Sequence, residues 1–218
     1  MNNIAIAYRL IRSRRRTLSL TVRDGQVTVK APYGMADEII LKFVNDKKSW
    51  IAAKIGEQNS SAALFSAVKD GSCLLDAGTE RPVRYGALKN TEVGNMFLLK
   101  NTDSVRRYFE KSRGWILFES LHSFSEKMCV SPEDVTLCDF KARWGSCDAA
   151  GRIKLNWRLT MLPPELRDYV IIHELSHLRE LNHSSLFWSV VKEYCPLYRT
   201  YRKRLRDFSF LTQLYRHS

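Results

Sequence analysis

His173-Glu174-Leu175-Ser176-His177 sets two imidazoles four residues apart with a carboxylate beside the first. On a helix, residues four apart share one face a turn along, so both rings can reach a single cation. Glu174 is turned about 100° from His173. It falls beside the metal rather than on it, placed to take a proton from metal-bound water. A catalytic zinc takes three protein ligands and keeps a fourth position open. The third ligand has two candidates, His183 and, on the following helix, Glu193. His183 is favoured because imidazole is the commonest ligand and because it stands at a bend. Asn182 before it tolerates the left-handed conformation that ends helices, and Ser184 or Ser185 can cap the next one. The expected chemistry is hydrolysis, with one zinc per chain held by His173, His177 and His183. Zinc lowers the pKa of its water to about 7, and Glu174 takes that water's proton as general base. A purely structural zinc site is the competing reading, but such sites prefer four closed ligands and many cysteines.

These side chains need a helix to carry them, and the sequence supplies one. Pro163-Pro164-Glu165 opens it, since proline is tolerated in a first turn and an acidic residue suits the positive end. The helix is expected from Leu166 to about Leu181. Ahead of it, strands are expected over Val135–Phe140 and Ile153–Leu159, joined as a hairpin through Arg143-Trp144-Gly145-Ser146-Cys147-Asp148 and Gly151. A long helix is expected from Ser104 to Met128. Nearer the start, Leu18, Leu20 and Val22 alternate with polar residues, Asp24-Gly25 turns the chain, and Val27 and Val29 resume the pattern. One helix is expected from about Asp37, with Ile39, Ile40, Phe43, Val44, Trp50, Ile51 and Ile55 on its apolar side. Residues 56–80 read as loop with one short element, and two more strands fall between Pro82 and Lys100. The division expected is a β-rich unit with one amphipathic helix over residues 1–100 and a hydrolase domain over 101–218.

The 218 residues are 44% hydrophobic and 27% charged, as in a water-soluble globular protein. No run of 18 apolar residues occurs, so no membrane span is expected. Met1 to Tyr8 lacks a basic leading region and Arg9 cuts its apolar stretch short, so it does not read as a secretory signal. With five cysteines in no Cys-x-x-Cys arrangement, reduced thiols and a cytoplasmic location are expected. The net charge of +12 favours contact with polyanions. Two basic clusters carry that expectation: Arg12, Arg14, Arg15 and Arg16, and the helical face of Arg199, Arg202, Lys203 and Arg206 interleaved with Tyr198, Tyr201 and Leu205. The plain alternative for the second is a solvated face over an apolar stripe.

Arg143-Trp144-Gly145-Ser146-Cys147, Ile153-Lys154-Leu155-Asn156-Trp157, Tyr169 to Leu178, Asn182-His183-Ser184 and Phe187-Trp188 together resemble the YgjP/SprT-like metallopeptidases. The resemblance runs from about residue 100 to 208, with a looser likeness over the N-terminal strands and the Trp50 helix. It implies an α+β fold, in which the small β-rich N-terminal unit precedes a zincin-like core of helices and antiparallel sheet. It also implies a bound zinc, peptidase activity, His173, His177 and His183 as ligands and Glu174 as the catalytic carboxylate. The histidine spacing equals that of the metzincins, but Glu180 stands where they carry glycine. Relatives are linked to DNA-associated proteolysis and to nucleotide hydrolysis.

In zincin folds an edge strand beside the active-site helix pairs with an extended substrate, and the Val135–Leu159 hairpin is the candidate for it. Arg143, Trp144 and Asn156 are then candidate cleft residues, with bracing of the hairpin as their alternative role. The group that stabilises a developing oxyanion stays open among Tyr194, Tyr198, Tyr201 and Arg143. Cys147 reads as a packed cysteine. Three functions compete: a peptidase acting on peptide or protein, a metal-dependent nucleotide hydrolase, and a nucleic-acid-associated module with conditional proteolysis. The absence of a glycine-rich phosphate loop weighs against the second, and the intact Glu174 against a vestigial form of the third.

Overall fold

Alternating apolar residues make strands of Arg9–Ser13 (β1), Ser19–Arg23 (β2) and Gln26–Pro32 (β3) in the computed structural model, which describes residues 7–23, 25–63 and 65–215. β3 lies in the middle, parallel to β1 and antiparallel to β2. Its Val27, Val29 and Ala31 point to one side and are buried, as the two-residue period of a strand requires. Helices α1 (Asp37–Asp46) and α2 (Lys48–Ala63) cover that face with Ile40, Val44 and Ile51. The single helix expected here is broken at Lys47, whose N–H is shared between the Phe43 and Val44 carbonyls. The break also moves Trp50 out of the apolar stripe, and it is 44% exposed. Arg12 is a staple: its guanidinium donates to the carbonyls of Pro32, Tyr33 and Met35 and pairs with Asp37 at 2.5 Å.

The chain divides into compact units at residues 1–66 and 67–218, so the boundary expected near residue 100 lies inside the second. The reason is a four-stranded sheet in a stretch expected partly as loop. It comprises β4 (Cys73–Asp76), β5 (Thr79–Tyr85), β6 (Thr91–Val93) and β7 (Met96–Leu99), in the order β4-β5-β7-β6, and follows the short α3 (Ser66–Lys69). This sheet packs on the long helix α4 (Ser104–Lys127), where Phe97 meets Phe109 and Tyr108 ring to ring. Phe109 in turn meets Trp157, the first residue of a 3₁₀ helix, Trp157–Met161. The β4–β5 turn uses Ala77 (φ 49°) and Gly78 (φ 86°), the positive pair that a tight hairpin needs. Their N–H groups bond the Thr160 and Met161 carbonyls, and a Cβ on Gly78 would meet Pro163 Cγ at 2.6 Å. The hairpin thus abuts the entrance of the next helix.

That helix, α5 (Pro164–Ser176), packs against a three-stranded sheet of β8 (Asp134–Cys138), β9 (Gly145–Cys147) and β10 (Arg152–Asn156). The order is β8-β10-β9. β8 and β10 run parallel, so they are not the two arms of a hairpin; the hairpin is β9–β10. Beyond it come α6 (Ser185–Tyr194), α7 (Tyr198–Arg204) and a 3₁₀ helix, Leu205–Gln213. The five cysteines are free thiols. No helix among the described residues is long and apolar enough to cross a membrane.

Between the sheet and α4 lies a charged knot. Asp76 and Glu92 each take both Arg81 and Arg113, and Tyr108 donates to Glu92 at 2.5 Å. Burial alone would raise the Glu92 carboxyl, but hydrogen bonds from Tyr108, Arg81 and Arg113 outweigh it and hold it below its ordinary value. A carboxyl depressed in the fold stabilises above its unfolded pKa and loses that contribution as pH falls through the folded value. Thermal unfolding from pH 7 to pH 3 should therefore show a steeper fall in Tm for the wild type than for Glu92→Gln. Parallel Tm–pH curves would remove Glu92 from this role.

Candidate metal centre

α5 is buried on most of its surface, with Leu166, Tyr169, Val170, Ile171, Ile172, Leu175 and Ser176 inside the protein. It stops earlier than expected, at Ser176. The Ser176 hydroxyl bonds back to Ile172 O at 2.7 Å, and the next N–H groups close three-residue turns onto Glu174, Leu175 and Ser176. His177 is therefore the cap residue of the helix. The loop that follows carries His183 back over His173. Asn182 does not adopt a positive φ, and the bend is closed instead by Ser184 N–H on Asn182 O at 2.7 Å. Ser184 caps α6 as expected, accepting from Phe187 N–H at 3.2 Å.

Ligand atoms of His173, His177 and His183 all lie within 4.8 Å of one another. The Nε2 atoms of His173 and His183 are 3.1 Å apart. Buried Phe187 packs against all three rings, with centroids 4.5–4.9 Å away. His177 sets its Nδ1 3.2 Å from Glu180 O. A carbonyl there fixes the proton on Nδ1 and leaves Nε2 as a free lone pair, the usual arrangement behind a metal-binding imidazole. His173 Nδ1 is buried without a hydrogen-bond partner. Its ring is held by packing against Tyr169, Phe187 and Trp188. Burial, then the neighbouring His177, His183 and Arg202, push His173 down to about 3, and burial also lowers His177. Two neutral imidazoles with His183 facing them make a donor set that suits a borderline-soft dication such as zinc. The group of possible ligands found among the described residues does not include Glu193.

Glu174 is 6% exposed. Its carboxyl lies flat against Gly145 in β9: a Cβ there would meet Oε1, Cγ and Cδ at 2.7–2.9 Å. Burial raises the carboxyl to about 8, with Arg143 opposing. Together with Arg143, Trp144, Tyr169, Val170, His173 and Leu205 it lines an open cleft of about 270 Å³. Arg143 stacks on Phe140 at 4.7 Å.

Asn156 is not in this cleft. It is fully buried, donates to the Phe140 and Arg143 carbonyls at 3.0 Å and accepts from Arg158 N–H. Asparagine fits because two carbonyls of the Arg143 loop and the Arg158 N–H of the following 3₁₀ helix meet at one point. It braces the loop that holds Arg143 and Trp144. Cys147 stays a thiol, raised to about 11 by burial and by the nearby Glu174 and Asp148 charges. Of the residues considered for an oxyanion, Arg143 lies in the cleft, whereas Tyr198 stacks on Trp188 away from it. Sequence reasoning missed Tyr169, Gly145 and Phe187. Tyr169 sits one helical turn before His173, a signal available from spacing alone.

Residues 16–208 match the family described as YgjP-like, metallopeptidase domain. No curated protein matches the chain. Among solved structures, the crystal structure of the metallopeptidase zymogen of Pyrococcus abyssi abylysin is similar at 24% identity, covering 41% of this chain and 90% of that one with a TM-score of 0.38.

Proposed function

The chain belongs to the YgjP-like metallopeptidase family, and on that premise we propose that it is a zinc-dependent peptidase with Glu174 as general base. One observation carries the proposal: three imidazoles converge on one point while the Glu174 carboxyl is fixed at the same cleft. His173, His177 and His183 would hold the ion, one per chain. When bound, zinc polarises a carbonyl and makes water more acidic. Glu174, buried and with a raised affinity for protons, accepts the proton of the attacking water and returns it to the leaving amine. Arg143 and the Tyr169 hydroxyl are the cleft groups able to donate toward a developing oxyanion. β9 is an edge strand of its sheet, beside α5, and starts at Gly145 against Glu174. An extended peptide pairing with that edge would pass the carboxylate, which narrows the expected edge from the whole Val135–Leu159 region to Gly145–Cys147.

The test is release of peptides from a denatured protein by the zinc-loaded chain, beside a panel of nucleoside triphosphates. Peptide release without nucleotide turnover supports the peptidase. Nucleotide turnover alone transfers the same residues to phosphoanhydride hydrolysis.

The ligand set has its own prediction. His183→Ala should lose metal by far more than the ~10–100-fold typical of removing an outer hydrogen-bond partner, whereas Glu193→Ala should hold about one zinc per chain. Elemental analysis after dialysis against a weak chelator reads both. Loss only in Glu193→Ala would reassign the third ligand.

A further inference from the structure

Next to the histidines lies a second pocket, of about 440 Å³, lined by Trp188, Tyr198, Arg199, Arg202, Lys203 and Arg206. It lies in the second unit and contains no acidic residue. Trp188 is the wall it shares with the metal centre: the indole stacks on His183 at 5.8 Å and contacts His173 at 5.7 Å. Arg202 lies over the same indole at 4.9 Å, so its guanidinium is one ring away from the histidines.

These cations are exposed, and among the described residues no carboxylate pairs with Arg199, Arg202 or Arg206. Arg204, on the same helix, shows the contrast: Glu165 neutralises it at 3.0 Å. Selection for a merely soluble surface disperses charge of both signs. Here one sign gathers at one pocket beside the reactive centre.

We propose that this pocket is a substrate subsite for acidic side chains, so that the enzyme prefers peptides with glutamate or aspartate a few residues from the scissile bond. The proposal rests on the peptidase reading above. Guanidinium groups bind carboxylates in a planar two-point fork, and Arg202 is already oriented by its stacking on Trp188. Single-stranded nucleic acid fits the pocket less well. It needs open aromatic faces for its bases, and Trp188 is flanked by Tyr198 at 5.3 Å, by His183 and by Arg202. Buried Tyr198 is engaged by the same stack and by Arg199, which donates to its hydroxyl at 3.2 Å.

Two peptides of equal length test this, one with glutamates flanking an apolar centre and the other with glutamines in their place. Binding to zinc-loaded Glu174→Gln protein is read by fluorescence anisotropy, and cleavage by wild type is read separately. The glutamate peptide should bind about tenfold tighter at low salt, because exposed pairs are individually weak and several act together, and the advantage should shrink as salt is added. Arg202→Gln with Arg206→Gln should reduce the ratio between the two peptides to about twofold or less. Arg206→Gln alone should reduce it in part, which guards against an effect of Arg202 on Trp188 packing. Equal binding of the two peptides overturns the subsite. Stronger displacement by a single-stranded oligonucleotide of matched charge overturns it in favour of nucleic acid. A binding preference without cleavage of either peptide keeps the subsite and removes the peptidase reading instead.

Discussion

Glu174→Gln is expected to keep the fold and the metal while losing hydrolysis by about 100- to 10,000-fold. The amide is nearly the same shape as the carboxyl, so its contact with Gly145 survives. It cannot accept a proton, which is the one property the reaction asks of it. The carboxyl is well suited to that task, since burial has raised it to about 8, into the range where a base can take a proton near neutral pH. A dication at the histidines would draw it back toward its ordinary range, which still leaves it ionised and able to act. Stability should rise slightly or stay level, because a buried acid is replaced by a neutral group. The measurements are turnover on a substrate verified for the wild type, metal content by elemental analysis, and Tm. Near-normal turnover with one metal per chain would remove Glu174 as the base while leaving the three-histidine centre standing. Turnover lost together with the metal would show that the carboxyl supports the site instead of the chemistry.

The three-histidine group was legible in the sequence because its parts are local. His173, Glu174 and His177 lie within five residues, and the geometry of a helix decides which of them face the same way. His183 was legible for a related reason: Ser184 signals the start of a helix, so the residue before it stands in the bend. What supports these residues comes from far along the chain and leaves no local mark. Gly145 reaches Glu174 across 29 positions of sequence only because β9 is the edge strand beside α5. Asn156, polar and adjacent to the conspicuous Trp157, reads as a cleft residue, yet its side-chain hydrogen bonds to Phe140, Arg143 and Arg158 hold it buried behind the loop.

The boundary expected near residue 100 differs from the division at residue 66 for a similar reason. β5 (Thr79–Tyr85) carries Glu80, Arg81 and Arg84, and so lacks the apolar alternation that marks a strand. Arg81 looks like a solvent-facing residue until it meets Asp76 and Glu92. Arg113 joins them from α4, which ties the sheet to the second unit. Periodicity cannot report a polar network whose members are separated by up to 37 residues. The parallel pairing of β8 with β10 was hidden for a related reason. A short connection suggests a hairpin, and only β9, three residues long, reveals which strand actually turns back.

Gly145→Ala should reduce hydrolysis by about 100-fold or more while changing the fold little. The added Cβ would stand 2.7 Å from Glu174 Oε1 and under 3.0 Å from Cγ and Cδ. Atoms cannot share that space, and the side chain gives way before the strand does, because rotating χ angles costs about 1 kcal/mol whereas shifting paired backbone costs more. The carboxyl must then swing away from β9. Displacing a catalytic group by about 1 Å is enough to cost on the order of 100-fold. The atoms that the added Cβ meets first belong to Glu174 and not to an imidazole, so metal content should remain at one per chain. This outcome separates positioning from folding: kcat falls, Tm moves by only a few degrees, and zinc is retained. Gly145→Val adds two further methyl groups in the same direction and should lower Tm as well as kcat. Because β9 is also the proposed docking edge, KM offers a further check. If Gly145 matters only through the position of Glu174, then Gly145→Ala placed on the Glu174→Gln background should bind a labelled peptide as tightly as Glu174→Gln alone. Weaker binding in the double variant would mean that the glycine is needed for close approach of the substrate backbone. Full activity in Gly145→Ala would refute the contact as a determinant of the base's position.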